Sequence, residues 1–465
     1  MWFRRDLRLA DSPALRCAVD AGADGVVPLF VLDPALWDSS GRPRRAYLRA
    51  SLERLSESVG GVLVRRGDPQ EEVLAVARAA GAESVHISAD FGPYGRERDT
   101  RVEQALRAAG ISLQRTGSPY AVAPGRIAKA DGSAYSVFTP FARAWAEHGW
   151  RAPVPPPANV PWTSPLDAHE LPDAPVPDGV TLPPAGEDAA LRRWRAYVDA
   201  SLSDYADVRN RPDLNLTSRM SVHLKWGEIH PRTMLADVAA AAGDAGPRAY
   251  RNELAWREFY ADVVWRQPQS TRDYLNPQLA GMAYELPGER FDAWRDGRTG
   301  YPIVDAGMRQ LRHEGWMHNR VRMIVGSVLV KHLLQPWQDG AAWFWDTLVD
   351  ADLASNSASW QWIAGCGVDA SPYFRVFNPT LQGEKFDPEG HYVRRWLPEL
   401  KQLPDRWLHR PWEAPQPALS KAGLRLDLDY PRPLVTPGAG RARALAAFAA
   451  MRAANGDRAR EAAAE

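Results

Sequence analysis

Gly25-Val26-Val27-Pro28-Leu29-Phe30-Val31-Leu32 is a short apolar run, and two more of its kind follow at Val62-Leu63-Val64 and Ser84-Val85-His86-Ile87-Ser88. Runs this short, bounded by Gly or Asp and separated by helical patterns, read as strands. Between the second and third, Asp68-Pro69 supplies an N-cap followed by proline at the first helical position, which opens a helix through Val73 and Val76. Strand, helix, strand in repetition implies a parallel sheet with right-handed crossovers, so residues 1–128 are expected to form a doubly wound α/β domain. No G-x-G-x-x-G opening follows the first strand, so the usual dinucleotide fingerprint is absent.

Working outward, Arg151 to Pro184 carries prolines every few residues: Pro153, Pro155, Pro156, Pro157, Pro161, Pro165, Pro172, Pro175 and Pro177. Proline lacks an N–H and fixes φ, so this stretch can be neither helix nor central strand and is expected to run extended over the surface. It marks a connector over residues 129–186. Beyond it β-branched runs thin out and a 3.6-residue pattern takes over, as in Arg248 to Val264 and Met317 to Leu334. Residues 187–430 are therefore expected to form an all-helical domain. The Ala- and Arg-rich remainder, 431–465, reads as a tail ending in an exposed helix.

Composition agrees and narrows the function. A chain of 465 residues is too long for one ordinary core, and 45% apolar with 25% charged residues is the balance of a folded globular protein. Zero formal net charge and a pI of 7.2 argue against a protein that coats long stretches of nucleic acid, so any such contact must be focal. Cys17 and Cys366 are too few and too far apart for a disulfide framework or a thiolate metal site, and no metal is expected. The charged start, Met1-Trp2-Phe3-Arg4-Arg5-Asp6, is unlike a signal peptide, and no uninterrupted apolar run of about 18 residues occurs. A cytoplasmic protein with no membrane partner is expected. Nineteen tryptophans exceed ordinary usage, and although core packing accounts for most of them, their spacing in the second half needs a reason.

Three helical stretches there gather polar and aromatic residues on one face. Trp316 to Met323 puts Asn319 and Met323 one turn apart; Asp350 to Trp362 aligns Asp352, Asn356 and Trp360; Asn252 to Tyr260 aligns Glu253 with Trp256 and Arg257. Any one of these is accounted for by a solvated charge beside a core aromatic. Three in one helical domain suggest a site.

These stretches, with Trp2-Phe3-Arg4-Arg5-Asp6-Leu7-Arg8, Thr217-Ser218-Arg219-Met220-Ser221, Thr299 to Ala306, Phe377-Asn378-Pro379 and Gln382 to Phe386, together resemble the photolyase/cryptochrome family, most nearly its class I cyclobutane pyrimidine dimer branch. The resemblance spans nearly the whole chain in the right order. It implies an α/β antenna domain, a helical FAD domain and light-driven splitting of cyclobutane pyrimidine dimers in DNA by an electron from reduced FAD. It also implies a monomer with no obligate protein partner. Thr217, Ser218, Arg219, Met220 and Ser221 match the FAD pyrophosphate segment, where hydroxyls and backbone N–H groups suit a dianion. Tyr205 and Arg209 precede it at family spacing. Asp350, Ala351 and Asp352 match the acidic segment beside the isoalloxazine, and Arg322 the arginine that pairs with the first aspartate. Asn356 matches the residue facing flavin N5, where an amide hydrogen-bonds several redox states without adding negative charge; it is the photolyase residue, against the rival reading of a blue-light photoreceptor. Tyr250 stands where relatives often carry Trp.

For substrate, Trp256 and Trp362 match the aromatics that cradle a flipped dimer, Glu253 and Asn319 the groups that bond its base edges, and Met323 the apolar wall. Arg209, Arg257 and Arg320 are the basic residues expected near DNA. Trp360 and Trp337 match the first two members of an electron-transfer chain to the flavin. Its third position falls on Tyr284, where most relatives have Trp, with Trp265 as the other exit. In the antenna domain Asp90 to Asp99 resembles members that hold 8-hydroxy-deazaflavin, since Gly95 replaces the carboxylate of members that bind 5,10-methenyltetrahydrofolate. The family's first strand begins before Trp2, so the strand here is expected to be short.

Overall fold

The structure, a computed structural model, describes every residue except 22, 23, 370–373 and 462–465, with backbone alone for 456–461. Strands β1 (Trp2–Phe3), β2 (Leu29–Leu32) and β3 (Leu63–Arg66) are parallel, with Trp2 opposite Leu29 and Leu29 opposite Leu63. Strands β4 (Ser84–Ile87) and β5 (Ser112–Arg115) form a second parallel pair, and β1 adjoins β4. The order 3-2-1 therefore reverses into 4-5, the switch of a doubly wound domain. Alternation decides the faces. Phe3, Phe30, Leu32 and Val64 pack with helices Pro13–Asp20 and Arg42–Val59, whereas Trp2, Leu29, Val31 and Leu63 pack with Pro69–Ala79 and Pro93–Ala108. β1 is only two residues long and is anchored just beyond its end, where Arg4 pairs with Asp99 at 2.6 Å and donates to the Ser88 carbonyl. Asp68 caps Pro69–Ala79 by accepting from the Gln70 N–H.

The proline-rich stretch adheres to this domain as extended chain, with His169 N–H on the Val64 carbonyl at 2.7 Å and Thr163 N–H on Val26 at 3.1 Å. The connector is not structureless throughout. Phe138–His148 is a helix whose Phe138, Phe141 and Trp145, spaced three and four apart, bury against the long helix Ala245–Arg266. That part of 129–186 packs with the helical domain. The expected continuous helix over Met317 to Leu334 is also modified: Asn319–Ser327 runs into a π-helical turn, Val328–His332, and ends at Leu334, whose φ of 52° is left-handed. The tail helix Pro437–Glu461 is not free. Ala444 and Met451 are buried, Phe448 stacks on Phe374 at 4.4 Å, and a Cβ at Gly440 would come within 2.3 Å of the His332 ring. Among the described residues no helix is long and apolar enough to cross a membrane.

Buried charges tie the two domains. Asp11, itself in the left-handed region at φ 49°, accepts from Arg232 at 2.6 Å. His230 lies 3.2 Å from Asp11, but its Nδ1 accepts the Arg232 N–H and its Nε2 faces the Ser118 carbonyl at 2.9 Å. Burial pushes its pKa down to about 3, so the ring is neutral and Arg232 carries the charge. Burial alone would raise the Asp11 carboxyl, yet the Arg232 guanidinium holds it well below its ordinary value. Asp352, caught between opposing effects of burial and Arg5, is likewise held low. Carboxyls depressed by folding contribute stability that is complete above their unfolded value, about 3.9, and is lost as pH falls through the lower folded value. Thermal scans should therefore show a melting temperature steady near neutrality and falling below about pH 4. Asp11→Ala, which strands a buried arginine, should cost about 3–5 kcal/mol in denaturant titrations and flatten part of that acid limb.

Candidate functional site

A cleft with about 1240 Å³ of empty space, partly open to solvent, lies between the segment Tyr205–Ser221, helix Ala245–Arg266, the start of helix Asn319–Ser327 and the turn Asp350–Asp352. Its floor is built from a short helix, Ser221–Trp226, and the turn before it, where Arg219 takes φ 54°. That turn aims hydroxyls inward. Ser218 Oγ lies 2.8 Å from the Tyr250 hydroxyl, and Ser221 Oγ accepts from the Trp316 indole at 3.2 Å. Arg219 itself swings out, held by Glu314 at 3.0 Å and Asn215 at 2.8 Å beside the Trp316 ring. Tyr205 meets Tyr250 edge to face at 5.0 Å, and Tyr250 leans on Trp194 at 5.2 Å, so aromatic bulk is kept where relatives often have Trp.

The acidic end of the cleft is asymmetric. Asp350 Oδ2 accepts from Arg322 at 2.9 Å, while its Oδ1 is buried with no hydrogen-bond partner. Such an orphan acceptor costs about 1–3 kcal/mol unless a donor meets it, which suits a ligand N–H. Asp352 caps helix Leu353–Ala364 through Ser355 N–H and accepts from Arg5 at 2.6 Å, and Ala351 between the two aspartates is buried backbone support. One turn on, Asn356 Nδ2 donates to the Ala341 carbonyl at 2.9 Å. Among the described residues its Oδ1 accepts nothing, so the amide is fixed with its oxygen free, although Asn356 stands outside the lining formed by its neighbours Asp352, Ser355 and Ser359.

The substrate-side residues are brought to the same cleft only in part. Glu253 and Arg209 pair at 2.6 Å, and burial raises the Glu253 carboxyl against the pull of Arg209. Trp256 presents one face and stacks its other on Phe138 at 3.8 Å with 7° between planes. Asn319 lines the cleft and is exposed at the helix start. Met323 is half-buried one turn on, outside the lining. Trp362 lines a separate small hollow with Lys331 and Arg375, its indole donating to the Asp369 carbonyl at 3.0 Å. Arg320 is bound by Asn210 at 2.7 Å over the Phe386 ring. Arg257 also lines the cleft. Its guanidinium donates to the Pro119 carbonyl at 2.9 Å and lies over Tyr120, so it clamps the domains together at the cleft's edge.

The aromatic chain also differs from its expected course. Trp360 is buried edge-on to Phe344 at 5.0 Å and fits only because Gly340 has no Cβ, which would come within 2.2 Å of the indole. Trp337 opens helix Trp337–Thr347 one turn before Gly340, against which the Trp360 ring packs from helix Leu353–Ala364. Among the described residues Tyr284 makes no ring pair with Trp337, and its ring partner is Tyr274, at 6.3 Å. Trp265 belongs to the domain seam, against Gly125 and under Arg96, and among the described residues makes no ring pair with Trp337.

A second cleft of about 1250 Å³ lies between the domains, walled by Trp37, Arg44 and Tyr94 on one side and Trp226 and Trp345 on the other. Arg44 stacks on Trp345 at 4.3 Å, and burial brings its pKa down to about 10. Lys225 lines both clefts, its amine pushed down to about 7 by burial against neighbouring charge. A Cβ at Gly95 would lie 2.2 Å from the Asp90 carboxylate, so any side chain there would displace Asp90.

Residues 1–159 match the pattern described as DNA photolyase, and residues 250–450 that of the FAD binding domain of DNA photolyase. A deoxyribodipyrimidine photo-lyase of Agrobacterium fabrum is 40% identical over 97% of this chain and 98% of its own. The chain belongs to the DNA photolyase family. A solved bacterial class III photolyase from Agrobacterium tumefaciens superposes with a TM-score of 0.91 at 38% identity, covering 97% of each chain, beside the class I likeness read from the motifs. A Synechocystis cryptochrome also shares this fold, with a TM-score of 0.88 at 29% identity over 95% of this chain and 97% of its own. The photolyase FAD domain thus supplies the cleft, although its hydroxyl segment, Thr217 to Ser221, lies ahead of the matched span.

Two residues that no motif singled out hold the cleft's aromatic wall. Asp369, at φ 53°, accepts from the Phe138 N–H at 3.0 Å through its carboxylate and from Trp362 through its carbonyl. Phe138 in turn backs Trp256. Asp369→Ala should free this support at a cost of about 1–3 kcal/mol. Acrylamide quenching of tryptophan fluorescence should rise while flavin content stays unchanged, and unaltered quenching would show that Trp256 is held by other contacts.

Proposed function

We propose that this chain repairs cyclobutane pyrimidine dimers in DNA by light-driven electron donation, with FAD in the first cleft and a light-harvesting chromophore in the second. What supports this most is the convergence on one cleft of the hydroxyl segment, the half-satisfied Asp350 and the substrate-side Glu253, Trp256 and Asn319. When bound and reduced, FAD supplies a photoexcitable one-electron donor. The protein's part is to hold and shield. Ser218, Ser221 and the neighbouring backbone suit the pyrophosphate, Arg322 and Asp350 fix the polar edge of the ring system, and the Asn356 oxygen offers an uncharged acceptor. Trp256, pressed flat by Phe138, offers a stacking surface for an extruded dimer, whose own disturbed stacking lowers the cost of flipping. Glu253 and Asn319 can meet its base edges, and nothing in a signalling role would require them on this cleft.

In the second cleft the flat walls of Trp37 and Trp345 and the cations Arg44 and Lys225 suit a fused-ring, acidic chromophore. Since Asp90 leaves no room for a carboxylate side chain at Gly95, a deazaflavin is favoured over a folate.

The test is direct. Reduced, flavin-loaded protein illuminated with blue light in the presence of a thymine-dimer oligonucleotide should remove the dimer, and an undiminished dimer would overturn the reading. Glu253→Ala should weaken lesion affinity by about 1–3 kcal/mol with flavin content unchanged. Because net charge is zero and several surface arginines are already paired, the slope of log K against log salt should be shallow, near −0.9 per phosphate neutralised. A slope equivalent to about eight phosphates would show a far broader footprint.

A further inference from the structure

We propose that Tyr274, which no motif marks, is the terminal electron donor of the aromatic chain, with Tyr284 standing behind it. This rests on the flavin photochemistry proposed for the first cleft, in which Trp360 and Trp337 refill an oxidised flavin. The geometry is that of a third hop. The buried Trp337 ring meets Tyr274 edge to face, at 6.0 Å and 75°, and Tyr274 meets Tyr284 at 6.3 Å. Tyr274 is half-buried, so the contact leads outward from the buried Trp337 to a ring that solvent can reach.

The loop holding Tyr274 is pinned from the helix that carries Trp360. Gln361, fully buried and next in sequence to Trp360, accepts from the Leu275 N–H at 2.8 Å and donates to the carbonyls of Asp273 at 3.1 Å and Ser270 at 2.7 Å. One side chain thus fixes the peptide units on both sides of Tyr274. Electron transfer falls steeply with distance, so a relay ring needs this kind of support. Tyr284 has a looser post, its hydroxyl 3.3 Å from the Leu279 carbonyl.

The step balances as follows. Once Trp360 has given an electron to the photoexcited oxidised flavin and recovered one from Trp337, the Trp337 radical cation takes an electron from Tyr274. The phenolic O–H bond breaks, its proton passes to water, and a neutral phenoxyl radical remains beside a restored Trp337. A soluble thiol then returns a hydrogen atom to Tyr274. Burial lifts both phenols above their ordinary value, so Tyr274 keeps its proton until oxidation expels it.

Flash photolysis of the oxidised holoprotein, with freeze-trapped electron paramagnetic resonance, tests this. Wild type and Tyr284→Phe should both yield a neutral tyrosyl radical whose formation slows in D₂O. Tyr274→Phe should lose that signal and leave a short-lived tryptophanyl radical. Should Tyr274→Phe fail to fold, Tyr274→Trp keeps an oxidisable ring and should exchange the tyrosyl signature for a long-lived tryptophanyl one. A tyrosyl radical that survives Tyr274→Phe but vanishes in Tyr284→Phe would overturn the assignment alone. Flavin-loaded wild type that forms no protein radical under illumination would overturn the underlying photochemistry with it.

Discussion

Arg5 reaches across the domain boundary to Asp352 at 2.6 Å, and much of the molecule is arranged around that contact. Asp352 is at once the partner of Arg5, a wall of the first cleft and the N-cap of helix Leu353–Ala364. That helix carries Asn356, Trp360, Gln361 and Trp362, so the cap and ion pair together set where each of them stands. Arg5 itself follows β1 directly and lines the second cleft. One buried pair thereby registers the sheet of one domain, the helix of the other and both clefts. Such a pair need not add net stability, because desolvating both ions offsets most of their attraction. What it does supply is a unique alignment, since any other seating of the domains would strand two buried charges.

The same economy of buried charge explains the character of each cleft. Arg322 satisfies one oxygen of Asp350 and leaves the other bare, a cost the fold tolerates where a ligand donor will sit. Lys225 stands in the partition between the clefts, close to Arg5, Arg44, Asp90 and Asp352, with its amine pushed down to about 7. A cation so placed couples the electrostatics of the two compartments: charge brought into either one is felt at the same amine.

Aromatic residues perform three different tasks that composition alone merges. Trp194, Trp294 and Trp145 are core. Trp256 is a surface for stacking only because Phe138 closes its back, and Phe138 is oriented by a carboxylate 231 positions away in the chain. Trp360 is seated because a glycine at 340 admits its ring, and Tyr274 meets Trp337 on a loop that a glutamine at 361 fixes. Arg257, read from its helix position as a DNA contact, lines the cleft and also clamps Pro119, a contact that its neighbours across the fold, not along the helix, create.

The sequence by itself determined the parts whose causes are local. Short apolar runs separated by helical patterns announced the parallel sheet, Asp68-Pro69 the start of a helix, and the 3.6-residue pattern the helical domain, because each depends on neighbours within one or two turns. The order of motifs carried the family, and the acidic, hydroxyl and aromatic segments of the site with it. Tertiary structure alone decided what lies between distant segments. It seated the helix Phe138–His148 from the supposed connector, and one face of the tail helix, on the helical domain; it set the Tyr274 ring against Trp337; and it put Asp369 behind two tryptophans. None of these has a periodicity or a motif, because each is a contact between residues that only the folded chain brings within a few ångströms.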